Sequence, residues 1–383
     1  MKKTQLPTIF FFAYQLLISQ VDKDIYQLNS INDLLTNEVK VIIDQNTKEN
    51  QTVFLGEAVH YSGSDFLAKT EFVKYLVIEQ GYKDIAFESD FFALLFDHNQ
   101  RNLYSMWSKS NQCKELFDFL AKNKVTIWGF DNRIGTPYSH EHFTVKLSKF
   151  LITKDIKLDK KFTKLAKVII KNEYKSSEIL TNEEINYLEK YTLSLLSEKA
   201  VKNNKTWNQI LESFKSVIKL YTIKDNNSDK KRIAIRDKQM AKNLNFLVKQ
   251  NPNKKFIVWI SNAHMSKSNG KLMLGQTMGH QFIQLNPNAS YHIAVGSIRL
   301  PGRNEKAIIK SAKKNKSILS LLPSLKNNHF IDAKQITNKN GGLKNRIFND
   351  MFIFNMESNK TELLNHFDAL VLIAYGEEVK YYK

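Results

Sequence analysis

Four short apolar runs in this chain each end in a residue able to do chemistry. Thr52-Val53-Phe54-Leu55-Gly56-Glu57 runs on to His60, and Asp84-Ile85-Ala86-Phe87-Glu88 ends in a carboxylate. Val125-Thr126-Ile127-Trp128-Gly129-Phe130-Asp131 ends in another, and Phe256-Ile257-Val258-Trp259-Ile260-Ser261 opens onto Asn262-Ala263-His264. Short runs of β-branched and aromatic residues, separated by helix-like sequence, are the pattern of buried strands in a parallel sheet. The expected fold is therefore α/β, a parallel-dominated central sheet flanked by helices in three layers. Ligands in open α/β sheets bind beyond the carboxyl ends of the strands. Glu57, His60, Glu88, Asp131 and His264 are thus expected at one rim, which makes an enzyme the first expectation.

The intervening sequence fills in this frame. Residues 21–50 read as a polar helical lead-in. Asp65 is placed to cap a helix over Phe66–Gln80, with Gly81 in the position that follows a helix end. From Ser139 to Thr222 no strand pattern appears. Amphipathic stretches run Lys160–Lys171, Glu183–Leu196 and Trp207–Tyr221, and Thr181 with Glu184 forms a capping box. A helix over Ile233–Gln250 leads to the strand at 256–261. Further strands are expected at Tyr291–Ser297, Met351–Phe354 and Ala369–Ala374, with a loop at Asn338–Asn345. The expected division is a first core part at 21–138, a helical insertion at 139–230 covering the cleft, and a second core part at 231–383.

Residues 1–20 combine Met1-Lys2-Lys3 with an apolar stretch from Ile9 to Ile18, the pattern of a secretory signal peptide. That implies export. The alternative is a first helix of the fold, which would leave the protein cytoplasmic. The stretch is too short to span a bilayer, and no other segment could.

A net charge of +19 suggests a nucleic-acid partner only until its make-up is read. The 57 basic residues include 7 Arg, and the Lys residues are spread over the whole chain. Nucleic-acid readers cluster their charge and favour Arg for bidentate contacts, so a solvated surface is the reading and no nucleic-acid partner is expected. The lone Cys113 excludes an internal disulfide and a cysteine metal cluster. The chain has no Gly-x-Ser-x-Gly elbow and no Gly-x-x-x-x-Gly-Lys-Ser/Thr loop, so neither a serine esterase nor a P-loop nucleotide hydrolase has support.

Glu57 lies three residues from His60, where a carboxylate can orient an imidazole and raise its basicity. Glu88, at the end of an apolar strand, must be paired if it stays ionised. Asp131, followed by Asn132, Arg133 and Gly135, reads more as a turn residue than as a catalyst. Arg236 and Asp237 both face the apolar side of their helix and read as an anchor to the sheet. His140 and His142 are placed in a surface loop.

Together these residues resemble the erythromycin esterase family. The resemblance rests on Leu55-Gly56-Glu57-Ala58-Val59-His60 with Asp65-Phe66, Gly81-Tyr82 leading to Phe87-Glu88, and Gly129-Phe130-Asp131. It continues through Arg236-Asp237 with Met240-Ala241-Lys242-Asn243, Val258-Trp259 with Asn262-Ala263-His264, and Phe367-Asp368-Ala369-Leu370. It spans about residues 45–375. The resemblance implies hydrolysis of a macrocyclic lactone or other carboxylic ester without a nucleophilic serine, and with it antibiotic inactivation. It implies that His60 activates water, that Glu57 and Glu88 orient and polarise it, and that His264 binds substrate or stabilises the oxyanion. Lys69, Asn262 and Asp131 would contact substrate, and Arg236 and Asp237 would support the site from behind. Lys69 stands where the family usually has arginine, and Met265, Ser266, Lys267 and Ser268 follow His264 without a further histidine. These departures bear on macrolide specificity rather than on hydrolysis itself.

Two alternatives stay open. Glu57, His60, Glu88 and His264 form a donor set that could hold Zn²⁺ or Mn²⁺ for a metal-dependent hydrolase, whereas the leading reading needs no cofactor. The chain could also be a non-catalytic binder of a small-molecule ester or lactone. The sequence does not fix the oligomeric state.

Overall fold

The computed structural model describes residues 24–223, 228–268, 276–287, 289–314, 316–349, 351–354 and 360–382. The expectation of an export segment at residues 1–20 lies outside them. Along the four runs singled out above, successive side chains go to opposite apolar clusters. Phe54, Ala86 and Val258 pack into one, while Leu55, Phe87 and Trp259 pack into the other. Alternation places neighbours on opposite faces of a strand, and apolar residues on both faces require a sheet covered on both sides.

The strands are β1 (Ile25–Leu28), β2 (Thr52–Glu57), β3 (Asp84–Asp90), β4 (Thr126–Asp131), β5 (Phe256–Ser261), β6 (Ser290–Arg299), β7 (Asn328–Ile331), β8 (Phe348–Asn349), β9 (Lys360–Thr361) and β10 (Ala369–Tyr375). Eight of them form one sheet in the order β1-β7-β10-β6-β2-β5-β3-β4, and β8 pairs with β9 separately. From β10 to β4 every neighbouring pair is parallel, and β7 adds antiparallel pairs to β10 and β1. The parallel-dominated α/β fold is thus established. Helices Asn37–Thr47, Gly63–Ile78 and Lys114–Lys122 cover one face of the sheet. Helices Pro137–Ile152, Lys160–Asn172, Asn182–Ser197, Lys205–Thr222 and Ser228–Gln250 contribute to the cluster on the other. No helix among the described residues is long and apolar enough to cross a membrane.

Several local expectations hold. The capping box of Thr181 and Glu184 is formed on both sides, and Gly81 carries the positive φ of 70° expected beyond a helix end. Others need correction. The helix expected at Phe66–Gln80 begins at Gly63, and its cap is Ser62, whose hydroxyl accepts from the Asp65 amide. Asp65 turns inward instead. The lead-in contains strand β1 as well as a helix. Met351–Phe354 is one helical turn rather than a strand, and Asn338–Asn345 contains a turn of helix capped by Asn340. Apolar runs of four residues do not distinguish a strand from a buried turn of helix. His140 and His142 sit on the first turns of the helix Pro137–Ile152, not in a loop.

Candidate active site

Strand order decides which carboxyl ends meet. β2, β5, β3 and β4 are consecutive in the sheet, so their ends form one continuous edge. Glu57 pairs in register with Ser261 across β2 and β5, and Glu88 follows Phe87, which pairs with Trp259. Asp131 closes the row on β4. The helix Ser228–Gln250 carries Arg236 and Asp237 to the same edge. Two linked clusters result.

The first is built on Glu57, which is fully buried. Its Oε1 accepts from His60 Nδ1 at 2.9 Å, and its Oε2 accepts from the Lys69 ammonium. Lys69 is also fully buried, with Nζ 3.8 Å from the ring centroid of Trp259. Burial pushes the Lys69 pKa down, and the Glu57 charge opposes that shift. The pairing resolves the problem each charge would face alone in the core. The His60 side chain is 42% exposed, so with Nδ1 turned inward its other nitrogen is free for solvent or substrate. Burial acts to lower the His60 pKa, but the bond to Glu57 and the charges of Glu57 and Glu88 outweigh it, and the net shift is upward. Trp107 stands edge-on to the ring with centroids 6.0 Å apart.

The second cluster is built on Arg236, whose side chain is 11% exposed. Its Nη2 donates to Glu88 Oε1 at 2.5 Å and to Asp131 Oδ2 at 2.7 Å. Its Nε donates to Asp131 at 3.1 Å, and its Nη1 donates to His264 Nε2 at 3.0 Å. Glu88 Oε2 accepts from the Ser261 amide at 3.0 Å. Burial alone would raise the Glu88 pKa, but Arg236, His264 and His60 overcome it and hold the carboxyl well below the usual carboxylate range. Asp131 is depressed in the same way, its burial outweighed by Arg133 and Arg236. His264 Nδ1 lies 2.7 Å from Asp237 Oδ1, an ion-pair distance without hydrogen-bond alignment, and Asp237 Oδ2 accepts from the Met278 amide at 3.0 Å.

The structure therefore brings Glu57, His60, Glu88, Asp131, His264, Lys69, Arg236 and Asp237 to one edge. Asn262 is at the same edge but buried, donating to Val295 O at 2.8 Å and Ile353 O at 2.7 Å. His140 and His142 are elsewhere, on the helix that begins at Pro137. Sequence reasoning passed over Tyr104, whose hydroxyl donates to Asp131 Oδ2 at 3.2 Å and to Arg133 O at 3.0 Å. It read Arg133 only as part of a turn, yet Arg133 Nε donates to Asp131 at 2.9 Å. The spacing Asp131-x-Arg133 was the available signal for Arg133, whereas Tyr104 carried none. Cys113 is buried, and burial pushes its thiol up to about 12, so it takes no part. Among the described residues no three His, Cys, Asp or Glu side chains are grouped to hold a metal ion. The two expected carboxylate ligands are each bound to a cation, Glu57 to Lys69 and Glu88 to Arg236.

A free imidazole nitrogen backed by a carboxylate, beside a buried guanidinium, can deprotonate water and stabilise developing negative charge. The family model for erythromycin esterase matches residues 77–284, a span that holds Glu88, Asp131, Arg236, Asp237, Asn262 and His264. No curated protein matches the chain. Among solved structures, a protein from Bacillus cereus superposes with a TM-score of 0.74 at 17% identity, covering 96% of this chain and 99% of that one. A structure described as a succinoglycan biosynthesis protein gives a TM-score of 0.73 at 15% identity, covering 96% and 98%. An erythromycin esterase mutant in its open conformation gives 0.64 at 14% identity, covering 92% and 98%. At these identities the structural likeness speaks for the fold.

Proposed function

Because the chain belongs to the erythromycin esterase family, we propose that it hydrolyses a carboxylic ester or lactone of a small molecule, with His60 as the general base. The observation that carries this reading is the arrangement at His60, where Nδ1 is tied to a buried carboxylate and the partly exposed ring leaves the opposite nitrogen without a hydrogen bond among the described residues. Water donates its proton to His60 Nε2 as its oxygen bonds to the carbonyl carbon. The carbonyl electrons move to oxygen, giving a tetrahedral anion. When the anion collapses the C–O bond breaks, and the departing alkoxide takes the proton from His60. The products are an acid and an alcohol, and the base is regenerated. A positioned base of this kind contributes about 10²–10⁴-fold.

Glu57 holds the imidazole in the required tautomer, and Lys69 pairs with its other carboxylate oxygen. Arg236 is the best-placed electrophile. A guanidinium has five N–H groups, and the bonds to Asp131, Glu88 and His264 leave one Nη1–H unassigned. In this reading that N–H faces the carbonyl oxygen, while Glu88, Asp131 and His264 fix the guanidinium plane. Asp237 holds His264 from behind. No step is routed through a metal.

The test compares the chain from Asp24 onward with its His60→Asn variant. Both are incubated with a panel of macrolides, simpler lactones and acyclic esters, with and without exhaustive chelation, and the gain of one water is followed by mass spectrometry. His60-dependent product that survives chelation is expected. Product lost on chelation and restored by Zn²⁺ or Mn²⁺ would move the mechanism to a metal. Binding without product would leave a ligand-binding protein on the same fold.

A further inference from the structure

A polar cavity of about 230 Å³ opens just beyond the end of β4, lined by Tyr104, Ser105, Met106, Arg133, Gly135 and Glu173. It adjoins the candidate active site through Tyr104, whose hydroxyl reaches Asp131 and whose ring stacks on Trp107, the neighbour of His60. Its polar groups are incompletely used. Arg133 binds Asp131 through Nε and its backbone N–H, at 2.9 and 3.1 Å, which leaves both Nη groups without a hydrogen bond among the described residues. The Glu173 carboxylate is half-buried and has no hydrogen-bond or ion-pair partner there.

Two further features set Glu173 apart. Its backbone lies at φ 47° and ψ −124°, a conformation that costs strain in any residue with a side chain. Its Oε1 also lies 2.8 Å from where a Cβ on Gly135 would stand, so the carboxylate comes this close to the loop only because residue 135 is glycine. Behind them Tyr221 is fully buried with an unpartnered hydroxyl, and it interacts electrostatically with both Glu173 and Arg133. Polar groups that line a cavity without protein partners are open to a ligand as well as to water, and strained backbone clusters at ligand and active sites.

The chemistry of the missing partner follows from what each group lacks. Glu173 offers only acceptors and the Arg133 Nη groups only donors. An ammonium would match Glu173 but set a second cation beside the guanidinium. A carboxylate or phosphate would match Arg133 but face Glu173. Adjacent hydroxyls match both, one donating to Glu173 while its neighbour accepts from Arg133. We propose that this cavity is a subsite for a vicinal diol, so that the ester cleaved at His60 carries a polyol or sugar-like portion. What the remainder of the ligand is rests on the hydrolase reading above, but the diol contact does not.

The experiment has two arms. In the first, 2,3-dihydroxypropyl butyrate and propyl butyrate are compared as substrates. The diol ester is expected to be favoured on the order of 10–100-fold in kcat/KM, through KM, by a site that bonds hydroxyls and is partly open to water. Glu173→Ala should bring that ratio to within about threefold of unity and leave propyl butyrate turnover unchanged, since an unused subsite contributes nothing to that substrate. In the second arm, saturation-transfer NMR compares 3-propoxypropane-1,2-diol with 1-propoxypropane, neither of which can be hydrolysed. A signal for the diol alone, lost in Glu173→Ala, supports the subsite even if no ester is turned over, which separates its fate from that of the hydrolase reading. Equal signals for the two ethers, or a diol signal untouched by Glu173→Ala, would overturn it. Glu173→Gly guards against misfolding. It relieves the positive φ and should raise the unfolding temperature while abolishing diol discrimination, whereas discrimination retained in that variant contradicts the proposal.

Discussion

Arg236 Nη1 donates to His264 Nε2 across 3.0 Å, and that contact orients the histidine ring. Arginine can only donate, so Nε2 is the acceptor, and Nδ1 is turned toward Asp237 at 2.7 Å. Arg236 is thus the one cation joining Glu88, Asp131 and His264. Arg236→Lys keeps the charge but cannot span three partners in one plane. We expect turnover to fall at least 10²-fold, the size of effect seen when an electrostatic donor is removed from an active site. Breaking a buried pair costs about 3–5 kcal/mol, so Arg236→Met should show that loss in urea unfolding, with Lys intermediate. Wild-type activity in Arg236→Lys would remove the guanidinium from the mechanism.

The upward shift of the His60 pKa sets the direction of the pH dependence. A base acts only when deprotonated, so kcat/KM should rise with pH through a midpoint above the ordinary histidine value of about 6.5. In Glu57→Gln the opposing burial is no longer outweighed by that charge. The midpoint should move down even as the rate above it falls. The linkage to stability has the matching sign: a raised folded pKa stabilises the fold below the unfolded value and ceases to do so as pH rises past the folded one. A pH–rate profile of both proteins checks this, and a curve that falls between pH 6 and 8 would exclude His60 as the base.

Lys69 was expected at the substrate, on the strength of its alignment with an arginine. Its ammonium is instead enclosed on Glu57 and over Trp259. Lys69→Met is expected to cost about 3–5 kcal/mol, because it leaves a buried carboxylate with only a histidine to balance it. It should also shift the pH–rate midpoint upward, since Glu57 then draws more strongly on the His60 proton. Adding Glu57→Gln should restore part of the stability and none of the activity. A double-mutant cycle on unfolding free energies measures the coupling. Additive losses in the two single variants would mean the pair is not coupled.

The row of carboxylates and histidines was legible because a parallel strand with apolar residues on both faces announces itself locally, and its carboxyl end is then a known place. The antiparallel margin was not. β1 and β7 are four residues each and pair across about 300 positions of chain, at Ile25 with Ile331. Nothing within either segment records that partner. Arg236 was read as a buried charge needing an anion, but not as the residue joining Glu88 and Asp131, because the sequence gives a helix face and not the neighbour it meets. Tyr104 lies in a stretch of short turns without periodicity, where no pattern points inward.

The loop that carries His60 is held from outside by the chain beyond β10. Gly63 N donates to Glu377 O at 2.8 Å, Val379 N to Tyr61 O at 2.9 Å, and Glu377 N to Ser64 Oγ at 2.6 Å. The same segment binds the turn after Trp107, with Asn111 N donating to Lys380 O at 2.7 Å and Gln112 Nε2 to Glu377 Oε1 at 2.8 Å. Residues 377–382 therefore tie together the two loops that place His60 against Trp107. Each bond is worth only about 0.5–1.5 kcal/mol net, so a chain ending at Gly376 should still fold. Small displacements of a catalytic group are costly, however, and a misplacement of about 1 Å can reduce rate on the order of 10²-fold. We expect the shortened chain to keep most of its stability, to lose 10-fold or more in kcat, and to exchange the amides of residues 58–64 and 108–112 faster by mass-detected hydrogen exchange. Adding a peptide of sequence Glu377–Tyr382 in trans should recover part of the rate. Unchanged kcat alongside faster exchange in both loops would show that His60 keeps its place without this segment.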